Sequence, residues 1–252
     1  MISIKTKQMI DGMKRSGRLL RSVHEELAKH VEAGITTMEL NNIAEDFIRS
    51  HGGIPSQIGY QGFPYATCIS VNDEICHGFP SKYKLKEGDI LTIDMVVDLD
   101  GYLSDSAWSY AVGNISDEAR TLMEVTEASL MKAIELVKPG AYFGDIGKFI
   151  EEYVSGFGFQ PVRDFIGHGI GRKIHEDPQV FHYNTGRRGA MMREGMVFTI
   201  EPMINVGTWQ MKMDDNGWTS RTRDGELSCQ YEHTLAVTKD GVMILTNEGL
   251  ND

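Results

Sequence analysis

The feature that most restricts this chain is that it nearly repeats itself. Lys86-Glu87-Gly88-Asp89-Ile90-Leu91-Thr92-Ile93-Asp94 is answered 107 positions later by Arg193-Glu194-Gly195-Met196-Val197-Phe198-Thr199-Ile200-Glu201. Upstream, residues 31–52 align without a gap on 137–158 at an offset of 106, keeping the apolar pairs Leu40/Ile146, Ile43/Phe149, Phe47/Tyr153 and Ile48/Val154. Two such halves, about 1–112 and 113–252, would build around a pseudo-twofold axis. No Pro/Ser-rich linker or low-complexity run interrupts the 252 residues, so one catalytic domain spanning 1–252 is expected.

Within each half, helices lead and strands follow. Met9, Met13, Leu20, Val23, Leu27 and Val31 fall near a 3.6-residue period, and Gly34 is expected to close that first helix. The capping box Thr36-Thr37-Met38-Glu39 opens a second, which carries Leu40, Ile43, Phe47 and Ile48 and stops at Gly52-Gly53. In the second half Ser116, followed by Asp117 and Glu118, starts a helix through Leu122, Val125, Ile134 and Val137 that Pro139-Gly140 ends. Another covers about 145–153, and strands resume from Phe159. This order predicts an α+β fold with helices over one face of a mainly antiparallel sheet.

One hairpin can be registered by hand. Gly88 to Asp98 reads as a strand, Leu99-Asp100-Gly101-Tyr102 as a tight turn and Leu103 to Val112 as the return. If Asp100-Gly101 is a two-residue loop, Val96 faces Asp105 and Asp94 faces Ala107. Alternation then puts Asp94 and Asp105 on one face as diagonal neighbours, with Cα atoms roughly 7 to 8 Å apart. Ionised groups are rarely buried without partners, so two carboxylates in an apolar hairpin need a solvent-facing edge or a cation between them. The repeat favours the cation, because Asp94 is answered by Glu201. A later strand-like run, 227–237, carries Glu232, which would stand to Glu201 as Asp105 stands to Asp94, although the longer connection leaves that register open.

Histidine supplies further candidates. His77 in Cys76-His77-Gly78 and His168 in Gly167-His168-Gly169 precede the repeated strands of their halves, and His175 follows shortly after. Glycines flanking His168 allow close backbone approach. His24, His30 and His51 lie on or near amphipathic helices, where a satisfied or solvated role is expected; His182 has no supporting context, and His233 would point away from Glu232. Two Asp, two Glu and one His form a mostly oxygen-donor set, which suits Mn²⁺, Fe²⁺ or Co²⁺ and also admits Zn²⁺. Shared carboxylates can bridge a metal pair, and metal-assisted hydrolysis is the natural reaction class.

A net charge of −11 without a basic cluster argues against nucleic-acid or acidic-membrane surfaces and for small molecules or peptides. No stretch has the length of a membrane span, and no apolar leader is evident. Cys68, Cys76 and Cys229 are an odd set without zinc-finger spacing, which fits a reducing cytosol.

At these same residues the sequence resembles the type I methionine aminopeptidases. The likeness lies in Ser70-Val71-Asn72-Asp73-Glu74-Ile75-Cys76-His77-Gly78, Thr92-Ile93-Asp94 with Ser104-Asp105-Ser106, Gly167-His168-Gly169-Ile170-Gly171, Phe198-Thr199-Ile200-Glu201-Pro202-Met203 and Gln230-Tyr231-Glu232-His233-Thr234. It covers essentially the whole chain. The resemblance implies the pita-bread (creatinase/aminopeptidase-like) fold, two pseudo-twofold related α/β halves with helices over a curved sheet. It implies two divalent ions (Co, Mn, Fe or Zn) on Asp94, Asp105, His168, Glu201 and Glu232, with Asp105 and Glu232 bridging. It also implies removal of an initiator methionine by a metal-activated hydroxide, preferably before a small second residue. Glu201 would move the proton, His175 would donate toward the carbonyl oxygen and His77 would steady the scissile amide.

The methionine pocket implied by the same likeness comprises Tyr60, Phe63, Cys68 and Trp218, with His77 and His175 also contacting substrate. Ile174 departs from relatives that carry an aromatic residue there. In some relatives a monovalent cation occupies the loop matching Asn72 and Ser228, and the sequence leaves open whether one binds here. The absence of a cysteine-rich N-terminal extension and of a large second-half insertion points to the short bacterial or organellar form. Nothing resembles a transit peptide, so the cytoplasm is expected; a monomer is expected too, with the ribosome as a transient partner, although the sequence itself does not set the oligomeric state. The rival readings are an Xaa-Pro aminopeptidase-like enzyme, disfavoured by the absence of a large N-terminal domain, and a non-catalytic binder, disfavoured by the intact ligand set.

Overall fold

A computed structural model describes residues 2–250. Four α-helices occur among the described residues: α1 (Lys7–Ala28), α2 (Thr37–Ser50), α3 (Asp117–Ile134) and α4 (Phe143–Ser155). Every named strand pairing is antiparallel. The ladders are short except for the hairpin Ile90–Leu99 with Tyr102–Ala111, which is joined by strands Cys68–Val71 and Ile54–Pro55. The α+β, mainly antiparallel expectation holds.

The repeat is visible in backbone detail. Strand Ile54–Pro55 pairs Ile54 with Asp98 and Pro55 with Val97; strand Gln160–Pro161 pairs Gln160 with Asn205 and Pro161 with Ile204, the same contacts shifted by 106 and 107. The isolated bridges Thr36–Lys84 and Tyr142–Met191 obey the same shifts. So do the hydrogen bonds from Gly34 N to Leu85 O (2.8 Å) and from Gly140 N to Met192 O (3.0 Å). Gly88 and Gly195 take matching left-handed φ values of 92° and 83°, a conformation glycine adopts without steric cost, at the turn that opens each repeated strand.

The helix starts follow the sequence. Thr36 and Glu39 form the reciprocal capping box, and the Ser116 side chain accepts from Ala119 N. The ends differ from expectation. α1 stops at Ala28 and α3 at Ile134, so Val31, Gly34, Val137 and Pro139-Gly140 lie beyond them. Val31 and Val137 still join their halves' cores from the following turns, so the apolar period outlasts the helix. α4 is also longer than 145–153 at both ends.

Packing reflects the two halves. Leu19, Leu20, Val23 and Leu27 of α1 and Leu40, Ala44 and Ile48 of α2 bury against Ile69, Leu91, Ile93, Met95 and Val97. Leu122, Val125, Leu130 and Ile134 of α3 and Ile146, Ile150 and Val154 of α4 do the same against Phe198, Ile200 and Ile204. A third cluster joins Met13, Val96 and Leu103 of one half to Ile170, Ile174, Val197 and Ala236 of the other. Removing such apolar area from water is the main favourable contribution, about 25 cal/mol per Å². The cavity described next opens beside this shared seam, where Val96 and Ile174 also line it.

Candidate metal centre

The first half contributes through its regular hairpin. Val96 lies opposite Asp105 and Asp94 opposite Ala107, the register worked out from the turn. Asp94 is also level with Cys68 on the neighbouring strand, so both project on one face, and both line the same cavity. The Asp94 and Asp105 carboxyls approach within hydrogen-bonding reach of each other. Gln57, with its amide nitrogen turned toward them, donates to the carbonyls of Asp94 (3.3 Å) and Ala66 (3.1 Å), holding this strand from the side.

The second half contributes through interrupted strands. The pairs Ile200–His233 and Met203–Gln230 share one register, which puts Glu201 level with Glu232. Glu232 is therefore directly across from Glu201, whereas Asp105 is diagonal to Asp94, so the analogy between the two carboxylate pairs is looser than the repeat suggested. Gly167 and Gly169 explain the setting of His168. A Cβ at Gly167 would stand 2.6 Å from Thr199 O, and one at Gly169 only 2.0 Å from Asp177 O, so any side chain would force the strand off its neighbours. Thr199 ties the group together: its hydroxyl donates to Glu201 Oε1 (2.7 Å) and accepts from His168 N (3.0 Å).

These pieces converge. His168 Nε2 lies 3.6 Å from Asp105 Oδ2 and 3.5 Å from Glu201 Oε1, and donor atoms of Asp105, His168 and Glu232 all fall within 4.8 Å of one another. Asp94 Oδ1, Asp105 Oδ1 and Glu232 Oε1 are buried with no hydrogen-bond partner, an expensive state for carboxylates. Burial pushes Asp94 up to about 7 and Glu201 up to about 8; burial and mutual repulsion raise Asp105 and Glu232 as well. Burial lowers His168 to about 3, leaving a neutral imidazole. Unpartnered oxygens, crowded carboxyls whose ionisation burial suppresses, and a neutral ring together suit a divalent cation.

The surrounding cavity, about 190 Å³, is lined by all of Tyr60, Phe63, Cys68, His77, Asp94, Asp105, His168, His175, Glu201, Trp218 and Glu232. Phe63 meets Trp218 edge to face at 5.1 Å, and His77 meets Trp218 at 6.0 Å. His77 holds a left-handed φ of 57°, and burial lowers its pKa to about 4. His175 stands at the mouth with Nδ1 2.7 Å from the Tyr60 hydroxyl and its ring 4.1 Å from that of His168; burial lowers its pKa too.

Sequence reasoning missed several supporting residues. His182, which offered no context, is buried and its Nε2 accepts the Glu201 backbone N–H at 3.1 Å. Thr199 and Gln57 were also unmarked. Thr199 was recoverable, since it sits inside the repeated motif two residues before Glu201; His182 and Gln57 carry no local signal. His24 proves fully buried, bonded to Tyr110 Oη (2.9 Å) and stacked on Trp108, while His233 turns to Thr246 Oγ1 (2.8 Å), away from the cavity.

Carboxylates and a histidine gathered between two related halves mark a candidate metal site, on the pita-bread fold of the metallopeptidases. Residues 11–239 match metallopeptidase family M24, and the chain belongs to that family. It is 47% identical over 246 residues to methionine aminopeptidase A of Synechocystis sp., covering 97% of each chain. It is 48% identical over 246 residues to methionine aminopeptidase of Clostridium perfringens, covering 98% of this chain and 99% of that one. The crystal structure of methionine aminopeptidase from Rickettsia prowazekii superposes with a TM-score of 0.96 at 42% identity, covering 98% of this chain and all of that one.

Proposed function

We propose that this chain is a methionine aminopeptidase, hydrolysing the first peptide bond of peptides and nascent proteins to release N-terminal methionine, preferentially before a small second residue. One observation carries the reading: the five candidate ligands share a single cavity with Tyr60, Phe63, Cys68, His77, His175 and Trp218. Residues 1–252 then act as one catalytic domain, because each half supplies part of the site. Asp94, Asp105, His168, Glu201 and Glu232 would hold two divalent ions of the Co, Mn, Fe or Zn class, with Asp105 and Glu232 shared. Such ions, when bound, supply Lewis acidity toward the peptide carbonyl and bring the pKa of a water toward neutrality.

The chain's own groups do the remaining work. Glu201 accepts a proton from the attacking water and returns it to the leaving nitrogen; the Thr199 hydroxyl on Oε1 fixes its orientation. Tyr60 Oη and His175 Nδ1 share a hydrogen bond at 2.7 Å; in the tautomer in which Tyr60 is the donor, the His175 proton sits on Nε2, ready to donate to the carbonyl oxygen as negative charge develops. Neutral His77 steadies the scissile amide. Tyr60, Phe63, Cys68 and Trp218 receive the methionine side chain, whose sulfur gains about 0.3 to 1.5 kcal/mol at each aromatic edge.

A monovalent cation beside Asn72 and Ser228 belongs to the same reading. Buried Ser228 Oγ and Asn205 Oδ1 lack partners, and Ser228 N bonds to Asn72 O at 2.9 Å. A cytoplasmic monomer with transient access to the ribosome completes the proposal; no described helix is long and apolar enough to cross a membrane. Metal-loaded protein is expected to release methionine from Met-Ala-Ser, slowly or not at all from Met-Lys-Ser, and nothing from Ala-Pro-Ser. Preferential cleavage before proline, or activity that survives a chelator, would refute it.

A further inference from the structure

The described residues ahead of α1 line no part of the catalytic cavity, yet they include a lysine whose side chain is only 2% exposed. Lys5 Nζ donates to Glu176 Oε2 at 2.6 Å and also bonds to Ser3 Oγ, which itself donates to Oε2 at 2.8 Å. The other carboxylate oxygen, Oε1, accepts the backbone N–H groups of Arg172 (2.9 Å) and Lys173 (3.2 Å). One side chain thus closes the loop 170–176 upon itself, and the residue beside it is His175.

The loop is built around this ammonium group. A Cβ at Gly171 would meet Lys5 Cε and Nζ at 2.5 Å and Glu176 Oε1 at 3.0 Å. Lys5 is held in turn by its own N–H, which donates to Gly195 O at 2.7 Å, in the turn that opens the strand leading to Glu201. On the opposite side Ile170 and Ile174 anchor the loop in the apolar seam. Burial opposes ionisation of Glu176, but Lys5, Ser3 and the Lys173 N–H outweigh it and hold the carboxyl at about 2.

We propose that Lys5 is a positioning residue for the reaction: by fixing Glu176 it sets the loop that aims His175 at the substrate carbonyl. This rests on the role given to His175 above. Stability alone does not account for the arrangement, because a well-packed apolar residue often serves a fold as well as a buried ion pair does. What the pair adds is a fixed position and direction for the backbone next to His175, where a displacement of an ångström costs rate.

The test uses full-length, metal-loaded Lys5→Met, Lys5→Arg and Glu176→Gln. Lys5→Met is expected to lower kcat on Met-Ala-Ser by about 10- to 100-fold with KM within about twofold and bound metal unchanged; Lys5→Arg restores most of the rate. In the metal-free protein, ¹⁵N histidine spectra of Lys5→Met should show a His175 tautomer balance shifted from that of the wild type as its Nδ1 contact with Tyr60 is disturbed. An unchanged kcat, or a fall that simply tracks metal content, overturns the proposal. If Lys5→Met does not fold, Glu176→Gln decides, since it keeps the acceptor for Arg172 and Lys173 while removing the charge; the same loss is expected, and wild-type kcat refutes the role. If wild-type protein releases no methionine at all, the aminopeptidase reading fails, and the histidine spectra still decide whether Lys5 fixes His175.

Discussion

The two halves solve the same problem with different backbones. In the first, Ile90–Leu99 and Tyr102–Ala111 pair without interruption, and Asp94 and Asp105 project from a regular ladder. In the second, the equivalent run is cut into Val197–Ile200 and Met203–Asn205, facing His233–Val237 and Ser228–Gln230. Pro202 falls in the cut and has no N–H to donate. The register survives the break, but the backbone groups around it find other partners: Glu201 N donates to His182 Nε2, and Glu232 N donates across the molecule to Ala107 O at 2.8 Å. A continuous ladder gives rigidity from local pairing; the broken one frees Glu201 N to bond His182 within its own half and Glu232 N to bond across to the first half.

Replacing one carboxylate from each half tests this comparison most severely. Asp105→Ala and Glu232→Ala are each expected to cost about 10⁴-fold or more in kcat/KM, and the double variant little beyond that, because groups acting as a unit are not additive. Steady-state kinetics with metal analysis measures this; additive losses would mean that the halves act separately.

The repeated threonines sharpen it. Thr199→Val removes the hydroxyl shared by Glu201 and His168 and should weaken metal binding about 10- to 100-fold. Its first-half counterpart, Thr92, instead bonds Ser109 Oγ (2.7 Å) and receives Gln230 N (3.3 Å). Thr92→Val should cost about 1 to 3 kcal/mol of stability and leave metal affinity intact. Titration calorimetry and urea denaturation separate the two outcomes.

The smallest effect concerns acid stability. His24 of α1 corresponds at the 106-residue offset to Leu130 of α3, and both are buried. Burial lowers His24 to about 3, so as pH falls below the ordinary value of 6.5 the unfolded chain takes up a proton that the folded chain refuses. The stability His24 contributes is complete above 6.5 and declines as pH falls toward 3, by about 1.4 kcal/mol per unit. His24→Leu should flatten the change in unfolding free energy between pH 7 and 5.5 by that order, and an unaltered slope would place the acid sensitivity elsewhere.

What the sequence disclosed follows the same division. The Asp94/Asp105 register was legible because a two-residue turn fixes every pair beyond it, and the Thr36–Glu39 cap because its partners are three residues apart. The relation of Glu201 to Glu232 was not, because the hairpin formed by Met211–Met213 and Ser220–Thr222 separates them and hides the alignment. His182 reaches Glu201 from a different segment, so only tertiary packing reveals it. Helix ends were missed for a related reason: Val31 and Val137 keep the apolar rhythm while the chain is already turning.

The orphaned oxygens of Asp94 and Asp105 come from one lobe and that of Glu232 from the other. A cation held among them is a rivet as well as a reagent. Starved of it, the protein keeps unpartnered carboxyls, their ionisation suppressed by burial, facing each other across its own midline, so metal deprivation should first be felt as a loosening of the joint, before any question of turnover arises.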